Sequence, residues 1–143
     1  AVLTGQRGAG GGSGGTQALS RQYGRLVAFK LDGQAELPAD PPPAARPNPA
    51  KDVWPENVVA HGASRYARFC GRCHGPATQS ANVVPDLRRA RALSDSATWQ
   101  AIVMDGALAN NGMIGWKHVL TNDDAEAIRA YVSSQAQALA LQE

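Results

Sequence analysis

The chain has 143 residues, enough for one compact domain with extensions, and 43% of them are hydrophobic but only 6% aromatic, so a core of protein alone would be thin. The net charge of +2 gives no indication of nucleic acid binding. No run approaches the ~20 apolar residues of a membrane span, and no signal segment opens the chain, so we expect a soluble chain, either a mature protein or a piece of a longer one.

The N-terminal stretch combines a glycine-rich segment with a short β-prone segment. "GGGSGG" at Gly10–Gly15 fits the dinucleotide pattern G-x-G-x-x-G, but the strand and helix that must flank it are not predicted, so residues 1–16 are interpreted as a mobile loop. Residues 26–29, "LVAF", predict a strand, and Asp32-Gly33 predicts a turn, with room for a second short strand. Such a fragment must pack on another surface, in this chain or in a neighbour.

Prolines dominate the next stretch, "PADPPPAARPNPAKDVWP". Repeated proline fixes φ and removes backbone donors, so an extended, semi-rigid linker is predicted over residues 38–55. The domain boundary is expected here, between a tail at 1–37 and a globular domain at 56–143.

Three helices are predicted after the linker. Ser94 or Ser96 could cap the second, and Thr121-x-x-Asp124 is a capping-box pattern for the third. Apolar or small residues recur at helical spacing in three groups: Val58, Gly62, Tyr66 and Phe69; Trp99, Ile102 and Val103; Ile128, Tyr131, Val132 and Leu139. No convincing strand occurs in this part, so three short helices with long loops need something large to pack around.

Charge is unevenly distributed over the predicted domain. Residues 56–91 hold six arginines and two acids, whereas residues 92–143 hold two basic residues and six acids. This division gives a dipole that could orient docking to a partner. The plainer interpretation is that both charged faces are simply solvated and have no role in docking.

Both cysteines lie in "RFCGRCHGP", two residues apart, with a histidine after the second. A disulfide between Cys70 and Cys73 would close a tiny loop, and a thioredoxin-like dithiol needs a βαβ context that is not predicted. A zinc site needs two more ligands, and His61 and His118 do not form a second paired motif. The pattern C-x-x-C-H is the attachment signal of c-type haem, with His74 as an axial ligand, and this interpretation is favoured.

Methionine is the natural ligand for the opposite face of the iron, because Met/His ligation suits electron transfer. Met104 follows the apolar positions of a predicted helix, where methionine is usually core. Met113 lies in the Gly/Asn-rich loop "ALANNGMIGW", which could bring its side chain to the iron. Met113 is therefore the favoured ligand over Met104.

The region 56–142 resembles a class I cytochrome c, an all-α fold of three to four short helices around one covalently bound haem. The resemblance depends on C-x-x-C-H after a helix, then "VVPDL", a loop methionine and a C-terminal helix with an aromatic residue. It implies thioethers at Cys70 and Cys73, and His74 and Met113 as axial ligands. It also implies that the Pro85 carbonyl accepts a hydrogen bond from the His74 ring.

Two further expectations follow from this resemblance. Gly62 and Tyr66 would meet the Tyr131 region where the terminal helices cross. Trp99 and Trp116 would lie around the haem, with ordinary core packing as the simpler alternative for both.

With its first 55 residues included, the chain is also similar to the C-terminal end of quinohaemoprotein alcohol dehydrogenases of type II. "GRLVAFKLDGQAELP", the proline-rich linker, "FCGRCHG" and "IVMDGALANNGMIGW" carry this resemblance. In that family a PQQ-binding β-propeller precedes a tethered cytochrome, so residues 1–37 would be the end of the propeller. PQQ and calcium would belong only to the missing propeller, because nothing here matches its quinone, calcium or catalytic positions.

The resemblance implies a periplasmic electron-transfer domain that accepts electrons from the propeller and passes them to an external acceptor protein. This chain alone would carry no substrate or quinone site. A stand-alone soluble cytochrome c is the main alternative, although its N-terminal strand would have no partner. A haem sensor or small haem enzyme with an open distal site is the third.

Overall fold

The computed structural model describes residues 2–4, 25–27, 30–34, 36, 44–80 and 84–143. The chain divides into two compact units, Ala1–Ala45 and Arg46–Glu143. Each unit is described by itself below.

A two-stranded antiparallel sheet is present in the first unit. Strand β1 (Val2–Thr4) pairs with strand β2 (Arg25–Val27), so that Leu3 lies opposite Leu26. Strand β2 confirms the predicted strand at Leu26 and Val27, while residues 28 and 29 lie outside the described residues. The prediction of a loop over residues 1–16 was wrong at β1, since pairing with a distant strand is not visible in three residues. Gly10–Gly15 lies outside the described residues.

The predicted turn after β2 is present but is centred one residue earlier. The backbone N–H of Gly33 donates to the carbonyl of Lys30 at 3.1 Å. The central pair is therefore Leu31-Asp32, and Asp32 adopts a φ of 58°, which aspartate tolerates better than most residues. The described residues after this turn, 34 and 36, are not in a strand.

Helices form the second unit, and its described residues contain no strand. They are α1 (Glu56–Phe69), α2 (Gly71–His74), α3 (Ser96–Val103) and α4 (Asn122–Ala140). Short 3₁₀ turns lie between them at Pro76–Thr78, Leu87–Arg89, Arg91–Ser94 and Ala109–Asn111. This confirms the predicted all-α fold with three to four short helices. None of the described helices is both long and apolar enough to cross a membrane.

Helices α1 and α4 cross at Gly62, where their backbones approach closely. A Cβ atom on Gly62 would lie 1.8 Å from the carbonyl oxygen of Ala127, so only glycine fits. One turn later, the rings of Tyr66 and Tyr131 pack with centroids 5.3 Å apart. The expectation that Gly62 and Tyr66 meet the region of Tyr131 is confirmed.

Side chains cap α3 and α4 at their N-termini. The capping box at α4 is confirmed, because the Thr121 hydroxyl accepts from the Asp124 N–H and the Asp124 carboxylate accepts from the Thr121 N–H, each at 3.1 Å. The cap of α3 is Asp95, not Ser94 or Ser96. Its two carboxylate oxygens accept from two backbone N–H groups, whereas the Ser94 and Ser96 hydroxyls donate elsewhere.

The end of the predicted linker packs against the helical unit. The Ala50 N–H donates to the buried Ser133 hydroxyl at 2.9 Å, and Arg129 donates to Asp52 at 2.8 Å. The contact-based boundary therefore lies between Ala45 and Arg46. The functional division into 1–37, 38–55 and 56–143 stays a prediction.

Candidate functional site

The two cysteines and the following histidine occupy one tight turn directly after α1. The Cys70 N–H donates to the Tyr66 carbonyl at 2.8 Å, which continues the helical path beyond Phe69. The His74 N–H then donates to the Cys70 carbonyl at 2.9 Å, and the Cys73 N–H to the same carbonyl at 3.1 Å. This turn, Cys70–His74, is called the attachment turn below, and it holds two thiols and one imidazole within five residues.

The two thiols have different environments. Cys70 is buried and Cys73 is exposed, and they do not form a disulfide. Burial, with a smaller effect from Cys73, raises the pKa of the Cys70 thiol to about 12. Cys70 is therefore a neutral thiol at pH 7 and not an activated redox nucleophile.

Tyr66 holds the far end of this turn, a role that the sequence analysis missed. Its hydroxyl donates to the Gly75 carbonyl at 2.8 Å, and Gly75 has a φ of 77°. Burial raises the pKa of Tyr66, so its hydroxyl stays a donor. The sequence signal for this contact was the spacing of nine residues between Tyr66 and Gly75. This interval spans the end of α1 and the whole C-x-x-C-H motif.

His74 is buried, with 8% of its surface exposed, and its Nδ1 atom has no hydrogen-bond partner of normal geometry among the described residues. Burial lowers the pKa of His74, and an interaction with the Pro85 backbone opposes this effect. The Pro85 backbone thus lies near the ring, but Nδ1 has no partner in the described part of the chain, so the hydrogen bond that the resemblance implies stays a prediction. A neutral buried imidazole is the form that binds a metal.

The loop that carries Met113 is pinned to the end of α3. The Trp116 N–H donates to the Val103 carbonyl at 2.8 Å, and the Lys117 N–H donates to the Met104 carbonyl at 3.3 Å. A Cβ atom on Gly115 would lie 2.7 Å from that Met104 carbonyl, so glycine permits the close approach. Met113 is half-buried against the core, while Met104 is a buried core residue, as expected.

Both predicted tryptophans lie in the same apolar core. Trp99 is buried, and its indole N–H donates to the Ala125 carbonyl at 2.8 Å, which ties α3 to α4. Trp116 is half-buried and meets Phe69 edge-on with centroids 5.6 Å apart. Their core packing is therefore established, and a further role around a haem stays a proposal.

The structure brings most of the predicted site residues together. Cys70 and Trp99 belong to one buried apolar cluster, and Met113 and Trp116 pack against it. His74 lies one helical turn beyond Cys70. Thiols, an imidazole and a thioether beside apolar side chains are the groups that hold haem c, so the residues present fit that group.

The other two histidines have partners away from the cysteines. His61 Nε2 lies 2.8 Å from the Asp124 carboxylate. The His118 ring stacks on Trp116, with the ring centroids 6.0 Å apart. Within the part of the chain that the structure describes, no group of three or more His, Cys, Asp or Glu residues could hold a metal ion.

Residues 57–132 match the family model described as cytochrome C oxidase, cbb3-type, subunit III. The match contains the attachment turn, Pro85, both tryptophans of the core and Met113. The chain belongs to this cytochrome c family. A domain of this family carries haem c and transfers electrons, and the cytochrome c fold agrees with the helices described above.

Several known proteins are similar over most of this chain. The dehydrogenase subunit of a quinone alcohol dehydrogenase from Acetobacter aceti is 34% identical over 126 residues, which is 88% of this chain and 17% of that protein. The quinohemoprotein alcohol dehydrogenase ADH IIB of Pseudomonas putida is 40% identical over 118 residues, 78% of this chain and 16% of that protein. The chain therefore spans only a small part of these relatives.

A known protein with a shorter chain matches a shorter part of this sequence. Cytochrome c550 of Pseudomonas aeruginosa is 31% identical over 80 residues, which is 54% of this chain and 55% of that protein. By contrast, the 126 residues aligned with the Acetobacter protein exceed the length of the stretch 56–143, so that similarity extends into the part of the chain before α1.

Proposed function

We propose that this chain is the haem-bearing end of a PQQ-dependent quinohaemoprotein alcohol dehydrogenase. It accepts single electrons from the reduced quinone of a propeller domain and passes them to an external acceptor protein. The observation that supports this function is the similarity to two quinone-linked alcohol dehydrogenases over a length that includes residues before α1. The relative that is a stand-alone cytochrome matches a shorter part of the chain.

Cys70 and Cys73 attach one haem c through thioether bonds. Their separation by two residues suits the two vinyl groups on one porphyrin edge, and neither thiol is in a disulfide. Cys70 would hold the group from the buried side and Cys73 from the exposed side. Covalent attachment makes the axial ligand effectively intramolecular, so the cofactor cannot dissociate.

His74 and Met113 would ligate the haem iron. The turn after α1 holds the His74 imidazole buried and neutral, and Pro85 fixes the ring orientation from its other side. The pinned loop after α3 holds Met113 at the edge of the core. Haem iron with His/Met ligation supplies one-electron chemistry at a raised reduction potential.

The remaining residues of the site control its surroundings. Trp99 and Trp116 exclude water and keep the local dielectric constant low, while the close backbone contacts of the Met113 loop limit the movement of its thioether. These features keep the ligand set unchanged when an electron arrives or leaves. The residues therefore supply orientation and electrostatics, and none of them acts as an acid or base.

The first part of the chain is the end of the propeller in this proposal. Residues 1–37 form its last segment, and residues 38–55 form the linker to the haem domain. PQQ and calcium bind elsewhere in the propeller, and no residue of this chain is assigned to them. Because quinone-linked dehydrogenases with attached haem c operate outside the cytoplasm, we place the protein in the periplasm.

The function is tested on the protein that cells of the source organism produce. An antibody against the haem domain should detect a polypeptide about five times as long as this chain, in the periplasmic fraction, that stains for covalent haem. Adding primary alcohols to it, purified with PQQ and calcium, should reduce the haem, as the visible spectrum reports. A short haem protein that no alcohol reduces would support the stand-alone electron carrier instead.

The ligand assignment has its own test in the haem-loaded 143-residue chain. Met113→Ala should abolish the weak red absorption band that methionine gives with oxidised haem iron. Met104→Ala is the matched control, since Met104 is a buried core methionine, and it should keep the band. The reverse result would show that Met104 is the ligand.

A further inference from the structure

One residue, Tyr66, contacts the attachment turn at both of its ends. Its backbone carbonyl accepts from the Cys70 N–H at 2.8 Å, where the turn begins. Its hydroxyl donates to the Gly75 carbonyl at 2.8 Å, directly after His74, where the turn ends. The helix between these two contacts has only four residues, too few to be stable by itself. Its position therefore depends on contacts with α1, and Tyr66 supplies one at each end.

Tyr66 is itself fixed in the core of the helical unit. It is buried, and its ring packs against the Tyr131 ring of α4 with centroids 5.3 Å apart. A Cβ atom on Gly71 would lie 3.7 Å from the Tyr66 ring, so this ring also lies against the first residue of α2. The two hydrogen bonds thus connect the attachment turn to a residue that is packed between α2 and α4.

The chain that leaves the attachment turn has a strained backbone. Ala77 and Thr78 are consecutive residues other than glycine, and both adopt left-handed conformations, with φ of 49° and 65°. This conformation is uncommon outside glycine and is an outlier for a β-branched residue such as threonine. It persists only where surrounding contacts hold it. The contacts next to this stretch must therefore oppose its relaxation.

The hydrogen bonds that residues 76–79 make among themselves are local. The Gln79 N–H donates to the Pro76 carbonyl at 3.1 Å, and the Thr78 hydroxyl donates to the carbonyl of the preceding residue at 2.6 Å. Such bonds hold the stretch together but do not fix it relative to a helix. The bond from the Tyr66 hydroxyl does so, because it connects α1 to the residue just before the stretch.

We propose that Tyr66 is a positioning residue for His74: its hydroxyl holds the end of the attachment turn against the strained residues that follow, so that the His74 backbone keeps its place. This inference depends on the proposed role of His74 as an axial ligand. A fixed backbone limits rotation of the imidazole when an electron arrives or leaves, which preserves the ligand geometry that tunes the iron. The hydroxyl acts through the Gly75 carbonyl.

The test uses Tyr66→Phe in the haem-loaded 143-residue chain, because this change removes the hydroxyl and keeps the ring. Exchange of the His74 backbone N–H with solvent, followed by NMR, should become about fivefold faster relative to the N–H of Ile128, a buried residue of α4. The paramagnetic shifts of the haem methyl groups in the oxidised chain, which report the orientation of the axial ligands, should also change. A loss of global stability alone would speed both exchange rates equally.

Tyr131→Phe is the matched control. Tyr131 is the other half of the ring pair, and its hydroxyl makes no hydrogen bond to a described residue. The control should therefore keep the wild-type exchange ratio and methyl shifts. If Tyr66→Phe gives the same ratio and shifts as Tyr131→Phe, the inference is wrong.

Ala77→Gly tests the opposing strain. Ala77 is exposed, so the change opens no cavity, and glycine adopts a positive φ readily. Alone, it should slow exchange of the His74 N–H, and in the Tyr66→Phe variant it should return the exchange ratio toward wild type. No effect in either chain would contradict the inference, and the single variant decides this even if Tyr66→Phe does not fold. A wild-type chain that takes up no haem would contradict the proposed function instead, as its visible spectrum shows separately.

Discussion

The crossing of α1 and α4 and the attachment turn are neighbours in the chain. Their buried polar atoms nevertheless differ in whether they have hydrogen-bond partners. At the crossing, the helices touch through the backbone of Gly62 and the rings of Tyr66 and Tyr131. The buried Asp124 carboxylate accepts hydrogen bonds from His61 and Arg65, both at 2.8 Å. In this region, contacts between the described residues satisfy the buried carboxylate.

In the attachment turn, the buried groups do not have such partners. The buried His74 Nδ1 atom lacks a normal hydrogen bond among the described residues, and the buried Cys70 sulfur is a free thiol. On the Met113 loop, Leu108 and Ile114 are 41% and 54% exposed, high values for residues of this size next to a core. A native protein rarely leaves a buried polar atom unpaired without a reason. The comparison therefore separates a helix crossing closed by protein contacts from a turn with an unpaired buried ring nitrogen, a free thiol and exposed apolar side chains nearby.

The largest expected effect is the loss of the prosthetic group from the site. The double variant Cys70→Ala/Cys73→Ala should contain no covalent haem, because no other cysteine exists to form a thioether. Mass spectrometry of the denatured protein should show the polypeptide mass alone, whereas each single variant can keep one bond. Haem that stays attached through denaturation in the double variant would contradict the assignment of these cysteines.

The next largest effect is expected at the crossing. Gly62→Ala places a methyl group 1.8 Å from the Ala127 oxygen, so the two helices must separate. We expect a loss of about 3 kcal/mol in the free energy of unfolding, measured with urea.

Gly71→Ala is the matched control for Gly62→Ala. Its added Cβ would meet only Tyr66 atoms at 3.6 Å or more, which is ordinary contact, and alanine favours a helix. Equal stability of the two variants would mean that the close approach of α1 and α4 does not limit the fold.

The scaffold was largely predictable from the sequence, because its signals are local. Helical spacing at Val58, Gly62 and Tyr66 predicts α1, and Thr121-x-x-Asp124 predicts the start of α4. The C-x-x-C-H spacing likewise predicted the attachment turn. The cap of α3 was missed because three adjacent residues, Ser94, Asp95 and Ser96, are all good caps, and only the tertiary partners of the serines distinguish them.

Contacts between distant residues could not be predicted in this way. The pairing of β1 with β2 depends on partners more than 20 residues apart. The attachment of Asp52 to α4 depends on Arg129, which from the sequence is one charged residue on a helix and in the structure is 3% exposed. Proline content predicted an extended linker before α1, but it could not reveal that residues 50–52 attach to α4. Patterns of spacing reveal which face of an element is buried, but not what covers it.

The smallest expected effect concerns the charge cluster of the crossing. Burial acts to raise the pKa of Asp124, but hydrogen bonds from His61 and Thr121 and the charge of Arg65 outweigh it and lower the pKa to about 2. Because the folded pKa lies below the ordinary value of 3.8, this stabilisation is present above pH 3.8 and is lost as the pH falls through 2. We expect a loss of about 1 kcal/mol over that window, less than the full shift implies because His61 and Arg65 are partly exposed.

Urea unfolding of wild type and Asp124→Asn between pH 6 and pH 2 checks this prediction. The free energies of unfolding of the two proteins should differ most at pH 6 and converge toward pH 2, since the protonated aspartate then resembles the amide. Asp123→Asn, at the exposed neighbouring position, should stay parallel to wild type. A constant gap between wild type and Asp124→Asn would assign the contribution of this residue to its uncharged capping hydrogen bonds. The crossing would then be held by packing at Gly62 and by the helix cap, with no measurable part from the ion pairs.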